Sequence, residues 1–265
     1  MYKNTIEVGG IHCKPGKELP PELKKFMDSH PEGVVLVSFG SALSASQMSS
    51  NQQEIFKDSF KELGIPIIWK WDGDVTNMPG NVLVQTWLPQ NDLLAHPNLR
   101  AFVTHGGLLS TQEALFHSVP LIGVPLGNDQ QSNMMRAEEN GFAIMLELQT
   151  LTKEQLTLAI KKALSDEGMQ KSVATMHNVF TDNSLTGMTP MERGVAAINY
   201  ALTEDSGVER LKPHIDILNM PFYQVHGWDV LAFVVLLGSF VMFLSWKCLR
   251  CCGRMCCGSK KAKQD

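Results

Sequence analysis

Cysteine is nearly absent from the first 247 residues of this 265-residue chain, where Cys13 is the only example. The other five cysteines lie within the last 18 residues. A disulfide-stapled domain distributes its cysteines through the fold, so this distribution excludes that class of protein. We therefore expect the main part of the chain to depend on a hydrophobic core.

Charged residues are also scarce, at 19% of the chain, whereas 44% of the residues are hydrophobic. This balance excludes an intrinsically disordered protein, and the length is sufficient for one full-sized core with appendages. The formal net charge of −4 excludes a general nucleic-acid binder, so no nucleic acid is predicted as a partner. Residues 1–246 carry 17 basic and 26 acidic residues, whereas residues 247–265 carry six basic residues and one acid. An acidic body is thus followed by a basic tail.

Charge is absent altogether from residues 230–246, a run of 17 residues that reaches the lower length limit for crossing a bilayer. Trp228 and Trp246 bracket the run as interfacial aromatics. A buried core helix would be amphipathic, whereas this stretch is apolar all round. The sequence predicts one transmembrane helix over residues 229–248 and the lipid bilayer as a partner. A juxtamembrane segment at 206–228 precedes it, and a basic, cysteine-rich tail at 249–265 follows.

The positive-inside rule places this basic tail in the cytosol and the body in the lumen of the secretory pathway. No apolar segment typical of a signal peptide precedes residue 30. The simplest expectation is that the sequence is the C-terminal part of a longer, signal-bearing protein.

Two further patterns lie in the tail. Lys261 and Lys263 stand five and three places from the end, which matches a dilysine retrieval signal. They predict a single-pass protein of the endoplasmic reticulum membrane. The cysteine pairs at 251–252 and 256–257 would suit zinc, but the tail holds no histidine. Cysteines beside a membrane segment are more often palmitoylated or free, so no metal site is predicted.

Strands and helices alternate along the body, which predicts an α/β fold with a Rossmann-like parallel sheet flanked by helices. The domain is placed at residues 31–205, after an inter-domain segment at 1–30. A capping-box pattern at Thr152 and Gln155 opens one of the helices. Strands are predicted at 34–38, 66–71, 82–86, 101–104 and 121–124, and other helices at 51–63, 110–116 and 130–140.

Small and polar residues follow the predicted strands, at the sheet edge where ligands bind in such folds. His105, Gly106 and Gly107 lead into a helix, and a glycine-rich helix N-terminus suits a phosphate. The same residues would also suit an ordinary turn. Trp87 offers a ring face for stacking a base, or it is a core residue.

Two acidic positions complete the pattern. Glu113 suits the hydroxyls of a ribose, or it lies on a solvated helix face. Asp129 and Gln130 suit the hydroxyls of a sugar, or Asp129 is only a helix N-cap. Each signal is weak alone, but their order at successive strand ends predicts a nucleotide-sugar pocket.

The same stretch resembles the signature of the UDP-glycosyltransferase superfamily. The resemblance is carried by the Trp87–Gln90 segment, by residues 102–107, by Ser110 and Glu113, and by residues 120–130. With the opening residues 8–12, residues 37–41 and the apolar segment with its basic tail, the chain resembles the C-terminal half of an animal UDP-glucuronosyltransferase, in the style of invertebrate members. This implies the C-terminal half of a GT-B fold, which holds the donor.

The resemblance also implies a role for each site residue. Trp87 and Gln90 would hold uracil and ribose, and Glu113 would bind the ribose hydroxyls. The diphosphate would be held by Ser41, His105, Gly107 and Ser110, and the sugar by Asp129 and Gln130.

The implied reaction is an inverting transfer to a hydroxyl or amine of a small lipophilic acceptor. UDP-glucuronate or UDP-glucose would be the co-substrate, without a cofactor or metal. The family's general base is a histidine near the N-terminus of the full protein, so no catalytic residue is assigned here. The sequence departs from the family pattern around Asp182, which puts the local helix packing in question.

Alternatives remain at this point. The chain is the donor half of an active enzyme, a non-catalytic truncated isoform that modulates full-length partners, or a subunit of a split enzyme. Homo- and hetero-oligomers are left open.

Overall fold

The computed structural model describes residues 5–41, 47–203 and 221–258. The chain divides into two compact units. The larger unit holds Ile6–Ala197, and the smaller one holds the residues from Ile198 onward together with the first residues of the chain.

A six-stranded parallel sheet forms the centre of the larger unit, with the strand order β3-β2-β1-β4-β5-β6. After β1, the chain adds β2 and β3 on one side of it. It then returns and adds β4, β5 and β6 on the other side. The topological switch point therefore lies between β1 and β4, where open α/β sheets bind their ligands. The strands are β1 Val34–Ser38, β2 Ile67–Lys70, β3 Val82–Gln85, β4 Leu99–Thr104, β5 Leu121–Gly123 and β6 Ala143–Met145.

Local sequence signals set several of the helix ends. Ser49 and Thr152 each form a capping box with the residue three positions later, which fixes two helix starts. Gly64 ends the first of these helices in the left-handed conformation, at φ 64°. The helices of this part of the chain are α1 Pro21–Asp28, α2 Ser50–Leu63, α3 Gln90–Leu94, α4 Leu108–Phe116, α5 Gln130–Glu139, α6 Lys153–Ser165, α7 Glu167–Thr181 and α8 Pro190–Thr203.

Helices cover both faces of the sheet, and two hydrophobic clusters hold them there. Val35 and Val37 of β1 pack with the aromatic rings of α2 and with α6. Val34 and Leu36 face the other side and pack with residues of α1, α3, α4, α5 and α7. Because both faces are covered, β1 is buried along its whole length. The predicted α/β architecture is confirmed.

Several elements differ from the sequence prediction. Helices α1, α3, α7 and α8 and strand β6 were not predicted. In α1, Leu23 and Met27 are buried against the sheet, so residues ahead of β1 contribute to its core. Helix α4 begins at Leu108 rather than at 110, because Gly107 has the extended backbone of an N-cap. α7 ends at Thr181, directly before the position where the sequence departs from the family pattern. The domain boundaries at 31 and 205 stay a prediction.

The smaller unit contains α9, Phe222–Val225, and α10, Trp228–Gly258. Within α10, the 21 residues Trp228–Cys248 are long and apolar enough to cross a membrane, and none of this segment is buried. The segment covers the residues 229–248 where the sequence predicts a transmembrane helix, and its insertion in a membrane stays a prediction. Lys261 and Lys263 lie outside the described residues, and so do the side chains of the tail cysteine pairs.

Candidate functional site

The predicted site residues follow four strands of one parallel sheet and therefore lie along the same edge. Loops after β1 and β4 flank the switch point, and loops after β3 and β5 continue the edge on either side. The register places the end of β1, Ser38, beside the end of β4, Thr104. The residues in question are Ser41 after β1, Trp87 and Gln90 after β3, His105 and Gly107 after β4, and Asp129 and Gln130 after β5.

The His105 imidazole is held between the two loops of the switch point. A methyl group at Gly40 would lie 3.1 Å from Cε1 of this ring, and one at Gly107 would lie 2.6 Å from its Nε2. Gly40 also has a φ of 60°, which favours glycine. Both glycines thus allow the backbone to close around the ring at the expected place for a ligand.

Burial governs the chemistry of His105, a residue that is only 9% exposed. Its Nδ1 is buried without a hydrogen-bond partner among the described residues. Burial lowers the pKa of His105 most, Asp129 raises it and Lys70 lowers it further. The ring is therefore neutral at pH 7 and acts as a single N–H donor rather than as an imidazolium.

The N-terminus of α4 follows the His105 loop directly. Gly107 is its N-cap, and no side chain caps the first turn. The first N–H groups of a helix have no intrahelical partner, and the helix dipole adds positive potential there. Together with the buried polar ring beside it, this end of α4 is suited to an anion.

A hydrogen-bonded cluster joins the start of α3 to α4. Gln90 Nε2 donates to Ser110 Oγ at 3.0 Å and to Glu113 Oε2 at 2.7 Å. Glu113 therefore points to this cluster and is not simply on a solvated helix face. Gln90 thus lies within hydrogen-bonding distance of two other predicted ligands, Ser110 and Glu113.

Trp87 lies on the surface, with 68% of the residue exposed. The next residue, Leu88, is buried in the core and anchors the segment. The core alternative for Trp87 is thus excluded. An exposed indole three residues before the start of α3 offers a ring face close in sequence to Gln90.

Asp129 is not an ordinary N-cap of α5, since its side chain makes no capping hydrogen bond. Its carboxylate instead accepts a 2.9 Å hydrogen bond from Asn133 Nδ2, which also donates to the Gly106 carbonyl at 3.1 Å. Gln130 is nearly buried, and its Oε1 accepts from the backbone N–H groups of Leu126 and Gly127 at 2.8 and 3.2 Å. This oxygen shapes the loop after β5.

Two residues of the edge were missed by the sequence prediction. Asn133 lies one helical turn after Asp129 and links α5 to the His105 loop. Lys70 is the last residue of β2, and its Nζ donates to the Gly40 carbonyl at 2.8 Å. The strand-end rule used for the other loops would have found Lys70, because it too stands at a carboxyl end. Within residues 5–41, 47–203 and 221–258, no group of three His, Cys, Asp or Glu side chains is arranged to hold a metal ion.

Comparison with curated proteins finds relatives over almost the whole chain. UDP-glucuronosyltransferase 2B15 of Homo sapiens is 33% identical over 265 residues, which cover 99% of this chain and 48% of that protein. UDP-glucuronosyltransferase 2B14 of Oryctolagus cuniculus is 36% identical over 243 residues, which cover 91% and 44%. The chain therefore spans about half the length of the curated relatives it matches.

Solved structures share the fold. The glycosyltransferase of kitacinnamycin matches with a TM-score of 0.56 and 26% identity, covering 70% of this chain and 45% of that one. Medicago truncatula UGT71G1, solved in complex with UDP-glucose, matches with a TM-score of 0.59 and 22% identity over the same shares. These neighbours are GT-B glycosyltransferases, which confirms the predicted fold class.

The family itself is shown by a sequence profile. The profile described as UDP-glucuronosyl and UDP-glucosyl transferase matches residues 1–263. The strand order, the edge of the sheet and the relatives agree with it. The chain belongs to the UDP-glucuronosyl and UDP-glucosyl transferase family.

Proposed function

We propose that the unit Ile6–Ala197 is the UDP-sugar-binding half of a membrane-bound, glucuronosyltransferase-like enzyme. The observation that carries this proposal is the Gln90–Ser110–Glu113 cluster beside the uncapped start of α4. In a family member with Rossmann strand order, these groups occupy the ligand edge of the sheet. The donor is UDP-glucuronate or UDP-glucose, and the acceptor is a small lipophilic hydroxyl or amine.

The nucleoside end of the donor binds at Trp87, Gln90 and Glu113. Uracil stacks on the exposed indole, which brings the ribose towards α3 and α4. The Glu113 carboxylate then accepts hydrogen bonds from the ribose hydroxyls, as acids do in dinucleotide sites. Gln90 holds the carboxylate in place before the ligand arrives.

The diphosphate binds where hydrogen-bond donors converge. These donors are the first N–H groups of α4, the His105 ring and the hydroxyls of Ser41 and Ser110, all of which follow β1 or β4 in the chain. During transfer, the acceptor attacks the anomeric carbon from the side opposite UDP, and the bonding electron pair leaves with the UDP oxygen. Donors already oriented towards that oxygen stabilise the developing charge.

The sugar binds at Asp129 and Gln130, at the start of α5. Asn133 orients the Asp129 carboxylate towards this position, and Gln130 fixes the preceding loop. The acceptor proton goes to the general base of the family, the histidine that the resemblance places near the N-terminus of the full protein. Acceptor binding and turnover therefore belong to the complete enzyme.

The apolar part of α10 spans the endoplasmic reticulum membrane, with the body in the lumen and the basic tail in the cytosol. The length and composition of Trp228–Cys248 and the six basic residues after Trp246 support this arrangement. Replacing Lys261 and Lys263 by Ser in a membrane reporter is expected to release it from the reticulum. Unchanged retention would contradict the retrieval signal.

Titration of the detergent-solubilised full chain with UDP tests donor binding. We expect a Kd in the micromolar to millimolar range, and a weaker one for Glu113→Ala, since the ribose loses its acceptor. Glu139→Ala is the matched control, because Glu139 is an exposed acid at the far end of α5. Undetectable binding of UDP, or equal affinity of Glu113→Ala and the unmodified chain, would overturn the proposal.

A further inference from the structure

A diphosphate bound at this edge presents a problem of charge. The groups assigned to it so far donate hydrogen bonds, but none of them carries a full positive charge. In the ligand-free chain burial lowers the pKa of His105, so this ring brings no positive charge to the site before the diphosphate binds. Glu113 and Asp129 are acids, and residues 1–246 carry nine more acidic than basic residues. Placing two phosphate charges here without a cation would be costly.

Lys70 carries a positive charge at this edge of the sheet, where it is the last residue of β2. Its predecessor Trp69 pairs with Val37 of β1, so Lys70 leaves the sheet beside the end of β1. The side chain is half-buried, and Nζ donates to the Gly40 carbonyl at 2.8 Å. Gly40 precedes Ser41 and packs against the His105 ring. The ammonium therefore reaches the loop that borders the phosphate-binding groups.

Among the residues that the structure describes, no carboxylate forms an ion pair with Lys70. The lysine–carboxylate ion pairs among the described residues involve Lys24, Lys57 and Lys153. One hydrogen bond to a neutral carbonyl leaves most of the ammonium's positive charge uncompensated, and two of its three N–H donors remain for other acceptors. Lys70 is close to His105, because the residue whose carbonyl it binds, Gly40, packs against the His105 ring.

We infer that Lys70 is a further donor-binding residue, whose ammonium supplies the positive charge for the diphosphate of the nucleotide sugar while it holds the Gly40 carbonyl. The inference rests on the proposed function and adds to it a residue and a physical role. When UDP leaves with the bonding electrons, its β-phosphate gains negative charge. A fixed ammonium beside it stabilises that product more than the intact donor.

The test compares ligands that differ only in phosphate. The full chain, Lys70→Met and Lys70→Arg are titrated with UDP, UMP and uridine at low and high salt. We expect Lys70→Met to weaken UDP binding by about tenfold or more, as for loss of a charge-assisted hydrogen bond, and uridine binding by less than about twofold. Lys70→Arg should restore most of the UDP affinity, and the salt dependence should be smaller in Lys70→Met.

Lys25→Met is the matched control, because it removes the same charge from an exposed position on α1. Equal losses for UDP and uridine in Lys70→Met would show that Lys70 only supports the loop, and no loss for either would show that it has no role. Both outcomes overturn the inference. If the unmodified chain itself fails to bind UDP, the proposed function fails instead, so the two failures are distinguishable.

Discussion

Asn133 holds the carboxylate of Asp129 through a 2.9 Å hydrogen bond from its side-chain amide. The same amide nitrogen donates to the carbonyl of Gly106 at 3.1 Å. One side chain thus connects the proposed sugar position with the proposed phosphate loop. Because of this side chain, we expect the sugar and the diphosphate of the donor to bind in a fixed position relative to each other.

Replacing Asn133 by Ala should therefore affect the sugar more than the nucleotide. We expect the affinity for UDP-glucose or UDP-glucuronate to fall by about three- to tenfold, as for loss of one hydrogen bond, while the UDP affinity changes little. Calorimetric titration with each ligand measures this ratio. Asn140→Ala serves as control, since Asn140 bonds only to its own helix. An equal loss for UDP and UDP-sugar would argue against the orienting role.

Trp87→Ala should separate binding from stability. Because the residue is 68% exposed, we expect the free energy of unfolding to change by no more than about 0.5 kcal/mol. Loss of base stacking should weaken UDP binding by about fivefold or more. Denaturant unfolding and UDP titration of the same preparation measure both quantities. Leu185→Ala, at a position 97% exposed, is the control. Unaltered UDP affinity would remove Trp87 from the site.

Gly107→Ala should disable the phosphate loop without a backbone penalty. Gly107 has a φ of −60°, which alanine adopts readily, but the added methyl group would lie 2.6 Å from His105 Nε2. The ring must move, so UDP binding should fall by about tenfold or more. Gly80→Ala is the control, because a methyl group there meets nothing within 4 Å. Matching affinities for the two variants would contradict the proposed position of the ring.

The titration of His105 should respond to UDP. Burial lowers the pKa of this imidazole, so its NMR titration in the free chain should have a midpoint below about 6.5. Since the folded pKa is depressed, the contribution of His105 to stability is complete above that value and declines as the pH falls through the folded pKa. Bound diphosphate favours the charged ring and should raise the midpoint. His105→Gln identifies the resonance, and a midpoint unaffected by saturating UDP would place the phosphates elsewhere.

Local signals in the sequence were sufficient for much of the fold. The β-branched run at Val34–Ser38 became a buried central strand, and the Thr152 capping box started α6 as predicted. Helix α1 was missed because it is short and begins with two prolines, which are typical of loops. Its amphipathic pattern rests on only two buried residues, Leu23 and Met27, which pack against the sheet. Strand β6 has three residues, too few to show a period.

The sequence suggested candidate site residues one by one, but not the contacts between them. Gln90 and Glu113 are 23 positions apart, and no sequence pattern shows that their side chains meet at 2.7 Å. Likewise, Lys70 approaches Gly40 only because β1 and β2 are neighbours in the sheet. Such contacts depend on strand order, which one sequence without relatives does not determine. The binding roles themselves remain predictions until a ligand is measured.

The two loops proposed to bind phosphate extend from β1 and β4, the innermost strands of the sheet, whose side chains are almost entirely shielded from solvent. Amide protons in such strands exchange with water only when the whole unit opens. The strand ends that anchor these loops are therefore as stable as the unit that carries them. A preparation that melts cooperatively will keep these strand ends in place below its transition, even with no nucleotide bound.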